Sequence, residues 1–158
     1  MSSIAGVGSA AFAAKGPPPP SNSQLGVLAS SFHFTVFGNL PGGPAKVQLI
    51  NMSSVDPHEF LAVNLGPVCS KFTQADATHE LDKLTKIHGN PLPTFLHDCP
   101  GGAFEGANGT GPLSTSSATY NFTPGRTLYW CAIRKNGTPH YKQGMLGFLN
   151  TPGPVLNP

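Results

Sequence analysis

Two periods of apolar residues run along this chain. A period of two marks strands. In Phe32 to Phe37 (FHFTVF), Phe32, Phe34 and Val36 share one face, and in Lys46 to Met52 (KVQLINM), Val47 and Leu49 do. His58 to Leu65 (HEFLAVNL) reads as a third strand, ended by Gly66-Pro67, and Leu113 to Phe122 as a polar, Ser/Thr-rich one. Thr127 to Ile133 (TLYWCAI) is rich in aromatic and β-branched residues, and Met145 to Thr151 (MLGFLNT) closes the series. The expected count is six or seven strands. Turn residues at Asn39 to Pro44, Ser53 to Pro57 and Thr123 to Arg126 separate them, and Pro100 to Gly111 reads as a glycine-rich loop. A period of 3.6 occurs once, from Thr73 to His88. Ala77, Leu81, Leu84 and Ile87 fall on one face, and Thr73-x-x-Asp76 forms a capping box. Asp82 precedes Lys86 by four residues, a favourable pair, and Gly89 and Pro91 are placed to end the helix.

These elements predict an all-β domain, a sandwich or barrel with one short helical insert. At 158 residues the chain has room for one core. Charged residues make up only 10% of it and the net charge is +2, too little for the basic stripe of a nucleic-acid binder or a membrane-surface protein. The 19 glycines and 17 prolines follow no period, which excludes collagen. The apolar run from Ile4 to Ala14 is too short to span a bilayer, which takes about 20 residues. Residues 1–24 differ in composition from the rest, being small and apolar and then Pro-rich. They read either as a signal remnant, with Ala11-Phe12-Ala13 as its cleavage pattern, or as a flexible tail. The single domain is expected over 25–158.

Three cysteines, Cys69, Cys99 and Cys131, suggest one disulfide and one special thiol. A bond between Cys69 and Cys99 would close a loop worth about 3 to 4 kcal/mol in the loop-entropy model. The alternative is a second metal site involving His79, His88 or His97, although no ligand spacing supports it. His33, His79, His88 and His97 otherwise read as surface residues. Low charge and a disulfide favour an oxidising, extracytoplasmic home: periplasm, cell envelope or secreted. Four Asn-x-Ser/Thr sequons, at Asn51, Asn108, Asn121 and Asn136, matter only where the source glycosylates secreted proteins.

The most informative spacing is Cys131-x8-His140-x4-Met145. A thiolate and an imidazole are strong ligands for a soft-to-borderline ion, and a thioether is a weak one. With a second histidine they make the His2Cys site with axial Met that holds copper for electron transfer. His58, at a strand start, is the candidate for that second histidine.

The stretch FTPGRTLYWCAIRKNGTPHYKQGMLGF, from Phe122 to Phe148, resembles the copper-binding corner of the cupredoxins, the blue copper proteins. It supplies a Pro124-Gly125 turn, Cys131 at a strand end, His140, and Gly144-Met145-Leu146-Gly147. Asn51 to Phe60, ending His58-Glu59-Phe60, resembles the family's N-terminal ligand segment. The gap between Cys131 and His140 is longer than in most small members. It is similar to that in the blue-copper domain of copper nitrite reductases, but the His-x-His pair of a second copper is missing. The resemblance implies a Greek-key β-sandwich with one type 1 copper on His58, Cys131, His140 and Met145. It further implies an electron carrier and not an enzyme, a monomer serving transient redox protein partners. The electron would leave through His140, with Pro139, Tyr141, Leu146 and Phe148 as an apolar docking patch. The other functions consistent with the sequence are copper storage or delivery, and a metal-free β-sandwich binding module.

Overall fold

The computed structural model describes residues 24–153 except 39, 41 and 87–91. The expected tail over 1–24 falls almost entirely outside them, as do Ile87, His88 and the Gly89–Pro91 helix end. In chain order the strands and helices are β1 (Gln24–Ser30), β2 (His33–Gly38), β3 (Gly43–Asn51), β4 (His58–Asn64), α1 (Gly66–Cys69), α2 (Gln74–Leu84) and α3 (Leu92–Asp98). They continue with β5 (Ala103–Thr110), β6 (Thr115–Phe122), β7 (Gly125–Trp130), β8 (Arg134–Lys135), β9 (Thr138–Pro139) and β10 (Leu146–Thr151). A turn of 3-10 helix, His140–Gln143, lies between the last two.

Two four-stranded sheets form a sandwich, in the orders β2-β1-β3-β6 and β10-β7-β4-β5, with β1 and β3 parallel. Strand alternation fills the space between them. Leu25, Val27 and Ala29 of β1 and Ala45, Val47 and Leu49 of β3 face Phe60 and Ala62 of β4, with Cys131 and Met145 in the same core. The second sheet is covered on its outer face as well. Val63, Leu65, Leu128, Trp130 and Leu146 pack there against Ala77, Leu81 and Leu84 of α2 and Phe95 of α3. Burial on both faces explains why β4 and β7 read as nearly continuous apolar runs. The insert that covers this face is closed by a disulfide between Cys69 and Cys99.

Several expectations are corrected. Among the described residues there are ten strands and three helices. α1 and α3 are too short to show a helical period. β1 was not anticipated, because it adjoins the low-complexity leader. The segment expected as a glycine-rich loop is mostly β5. Gly106 is there because a Cβ would collide with the Tyr120 ring, not because the chain turns. Phe32 is not in a strand but in the two-residue turn between β1 and β2. α2 keeps its capping box, with Thr73 and Asp76 bonding reciprocally, but Thr85 is its C-terminal cap. Asp82 pairs with Lys142 at 2.6 Å where Lys86 was expected. Asn51 and Asn108 are buried and hydrogen-bonded, so those two sequons cannot carry a glycan, whereas Asn121 and Asn136 are exposed.

Candidate metal centre

At one end of the sandwich three segments meet. His58 is the first residue of β4, Cys131 directly follows β7, and His140 opens the 3-10 turn. The spacing of eight between Cys131 and His140 is taken up by a small hairpin, β8 paired with β9, whose tip is Asn136-Gly137 with φ of 50° and 80°. Left-handed backbone at both central positions is the geometry that Asn-Gly adopts most readily. The hairpin doubles the chain back, so that the His140 amide donates to Ile133 O at 2.8 Å and the Tyr141 amide to Cys131 O at 3.0 Å. Two more bonds close the loop: Met145 N to His140 O at 3.1 Å and Cys131 N to Met145 O at 3.0 Å. The backbone alone therefore fixes where Cys131, His140 and Met145 stand.

The histidine on β4 is held by a second set of contacts. Asn51 donates to Asp56 O at 2.8 Å and Gly111 O at 2.9 Å and accepts from the Ser53 amide, which shapes the loop ahead of His58. Asp56 pairs with Lys135 of the hairpin at 2.7 Å. Glu59 joins β4 to the loop twice. Its amide points at Cys131 Sγ at 3.4 Å, and its carboxylate accepts from the Ala132 amide at 3.0 Å.

The result is a cluster of three donors. His58 Nδ1 and His140 Nδ1 are 3.2 Å apart, Cys131 Sγ is 3.5 Å from His140 Nδ1, and all three ligand atoms lie within 4.8 Å of one another. His58 and His140 are each 1% exposed and Cys131 and Met145 0%. Burial, with His140 close by, pushes His58 down to about 4, and burial also lowers His140, so both rings are pushed toward the uncharged form. Burial pushes the Cys131 thiol up to about 11. The Nε2 atoms of both histidines are buried without a hydrogen-bond partner, so the rings' polar contacts are confined to the inner, Nδ1 side.

No protein-family model and no curated protein sequence matches the chain. Solved structures do. Reduced auracyanin from the photosynthetic bacterium Roseiflexus castenholzii matches with a TM-score of 0.54 at 18% identity, over 83% of this chain and 98% of the other. Auracyanin A, a "blue" copper protein from the green thermophilic photosynthetic bacterium Chloroflexus aurantiacus, matches with a TM-score of 0.50 at 15% identity, over 81% and 97%. This chain has the cupredoxin fold.

Within that cupredoxin fold the donor set suits a borderline-to-soft transition ion. Two imidazoles and one thiol that loses its proton on binding match such an ion, whereas Mg2+ and Ca2+ take oxygen ligands. Met145 contributes a buried thioether to the core that holds Cys131. The expected apolar docking patch is corrected. Pro139, Tyr141 and Leu146 are buried, and Tyr141 and Leu146 belong to the core beneath the helices. His140 presents no edge to solvent, and the Phe32 ring meets it edge-on at 4.8 Å between centroids. The exposed apolar residues of the adjoining loops are Met52, Val55 and Leu113, the last joined to Ser53 by a 2.9 Å backbone bond. Sequence reasoning assigned no role to Phe32, Glu59 or Asn51. Asn51 and Glu59 do sit in the segment that resembles the family's ligand region, which was the available signal.

Proposed function

We propose that this protein is an electron carrier that would hold one type 1 copper through His58, Cys131 and His140, with Met145 as a weak fourth donor. The convergence of two buried imidazoles and one buried thiol within 4.8 Å carries this reading. A His2Cys set with a weak methionine is the blue-copper arrangement, and the blue copper description of auracyanin A, on the same fold, agrees with it. When bound, copper supplies one-electron exchange between Cu(I) and Cu(II). The protein's part is to keep the donors still. The closed backbone bonds of the 131–145 loop set their positions independently of the ion, which keeps reorganisation small. A closed four-donor site leaves no position for a substrate, so the role is transfer and not catalysis.

The Cys69–Cys99 bond supports an extracytoplasmic setting. No helix among the described residues is long and apolar enough to cross a membrane. We infer a monomeric domain over 25–158 that meets redox proteins transiently through the copper end. Small, weak interfaces suit such encounters.

The test is stoichiometric Cu(II) titration. One equivalent should produce an intense thiolate-to-copper band and a reversible voltammetric wave, and Cys131→Ser should abolish the band. An unchanged spectrum in that variant overturns the ligand assignment. Tight metal binding without a reversible wave would favour storage or delivery.

A further inference from the structure

β1 and β2 are joined by only two residues, since Ser30 pairs with His33. Those residues, Ser31 and Phe32, have φ of 35° and 62°. Left-handed backbone at both positions is strained for side chains other than Asn, Asp or Gly. The chain meets the same demand at Asn136-Gly137 with the favoured pair. At 31–32 it places a bulky aromatic instead, so a requirement other than turn formation accounts for the residue.

The surroundings of the ring indicate that requirement. Phe32 meets the His140 ring at 4.8 Å and 70°, and the His58 ring at 6.5 Å and 86°. Lys135 Nζ stands 5.4 Å from its centroid. Its carbonyl lies so close to Gly144 that a Cβ there would stand 2.8 Å away, which fixes the turn against the loop carrying His140 and Met145. The ring itself is partly exposed while both histidines are buried. It is therefore an outer layer over the donor cluster.

We propose that Phe32 is the cover of the metal centre, a positioning residue whose ring excludes water and small exogenous ligands from the His58–Cys131–His140 cluster. This rests on the copper reading above. A covered site admits electrons and refuses ligands, so the loaded protein should ignore small anions.

The decisive variant is Ser31→Asn with Phe32→Gly, which gives the turn its favoured sequence while removing the ring. Phe32→Leu serves as a second, milder removal and Phe32→Tyr as a conservative control. Two measurements follow. In metal-free protein, carbethoxylation is mapped by peptide mass. His140 in the parent should react far more slowly than exposed His79 and His97, and in the double variant it should approach their rate. In Cu(II)-loaded protein, azide should leave the parent's visible spectrum unchanged, shift it saturably in the double variant, partly in Phe32→Leu, and not at all in Phe32→Tyr. A double variant that melts like the parent and still protects His140 overturns the proposal, as does azide binding to the parent. Failure of the copper reading looks different: the parent itself would lack the thiolate band, and the carbethoxylation rates would still decide the question of the cover.

Discussion

The contact between the helical insert and the ligand loop can be measured through Asp82. Its carboxylate accepts from the Tyr141 hydroxyl at 2.7 Å through Oδ1 and from Lys142 Nζ at 2.6 Å through Oδ2. The two bonds differ in worth. The Lys142 and Asp82 side chains are 40% and 35% exposed, so their ion pair contributes about 0.5 kcal/mol or less. Tyr141 is buried, and removing its acceptor costs about 1 to 2 kcal/mol. Asp82→Ala should therefore destabilise the metal-free protein by about 1.5 to 2 kcal/mol, and Tyr141→Phe by about 1. The double variant should cost less than the sum of the two by about 1 kcal/mol, because each single change already breaks the shared bond. Urea unfolding reads these differences. Trp130, the only tryptophan, is buried in the same core as Tyr141 and serves as the fluorescence probe. Simple additivity would refute the argument, since Asp82 and Tyr141 would then contribute independently.

Cys69→Ala with Cys99→Ala opens a loop with a sequence separation of 30; unfolding free energy should drop by about 3 to 4 kcal/mol, checked against the parent in urea. Voltammetry of the Met145 variants should separate in sign. Met145→Gln supplies a harder oxygen donor and lowers the potential, whereas Met145→Leu removes the donor and raises it, and equal potentials in both would make Met145 core packing alone. Glu105 is buried, and burial raises its carboxyl above the ordinary 4.5 despite bonds from Thr127 and Thr123. The folded state thus holds this proton more tightly than the unfolded chain. Its stabilising contribution is complete below pH 4.5 and fades as pH rises through the folded value. The stability difference between the parent and Glu105→Gln should move against the parent across that window, and a flat difference would contradict the shift.

The chemistry of the site was more legible than its enclosure. Cys131, His140 and Met145 stand out because thiol, imidazole and thioether are scarce in this chain and sit close together in sequence, and His58 because it begins a strand with a clear alternation. Phe32 was misread for a physical reason. FHFTVF continues an alternating pattern, and Ser-Phe carries no turn signal, so the chain offers no local sign that its backbone turns left-handed there. β5 was misread for the converse reason. Its glycines suggest a loop, but at Gly106 the missing side chain makes room for Tyr120. The second sheet is buried on its outer face as well, which the strand readings of His58–Leu65 and Thr127–Ile133 did not foresee. What covers it, α2 with two helices too short to register as periodic, emerges only from the packing.

Three cysteines in one chain allow three different single disulfides, and only the bond between Cys69 and Cys99 leaves Cys131 free for the proposed metal centre. The two miswired isomers would consume Cys131 and yield a protein unable to load. Complete burial of Cys131 in the sandwich core removes it from exchange once the sheets have closed. Oxidation of the insert after the sandwich has closed would therefore spare Cys131. Rapid oxidation of the unfolded chain should leave a colourless fraction that only thiol–disulfide reshuffling can recover.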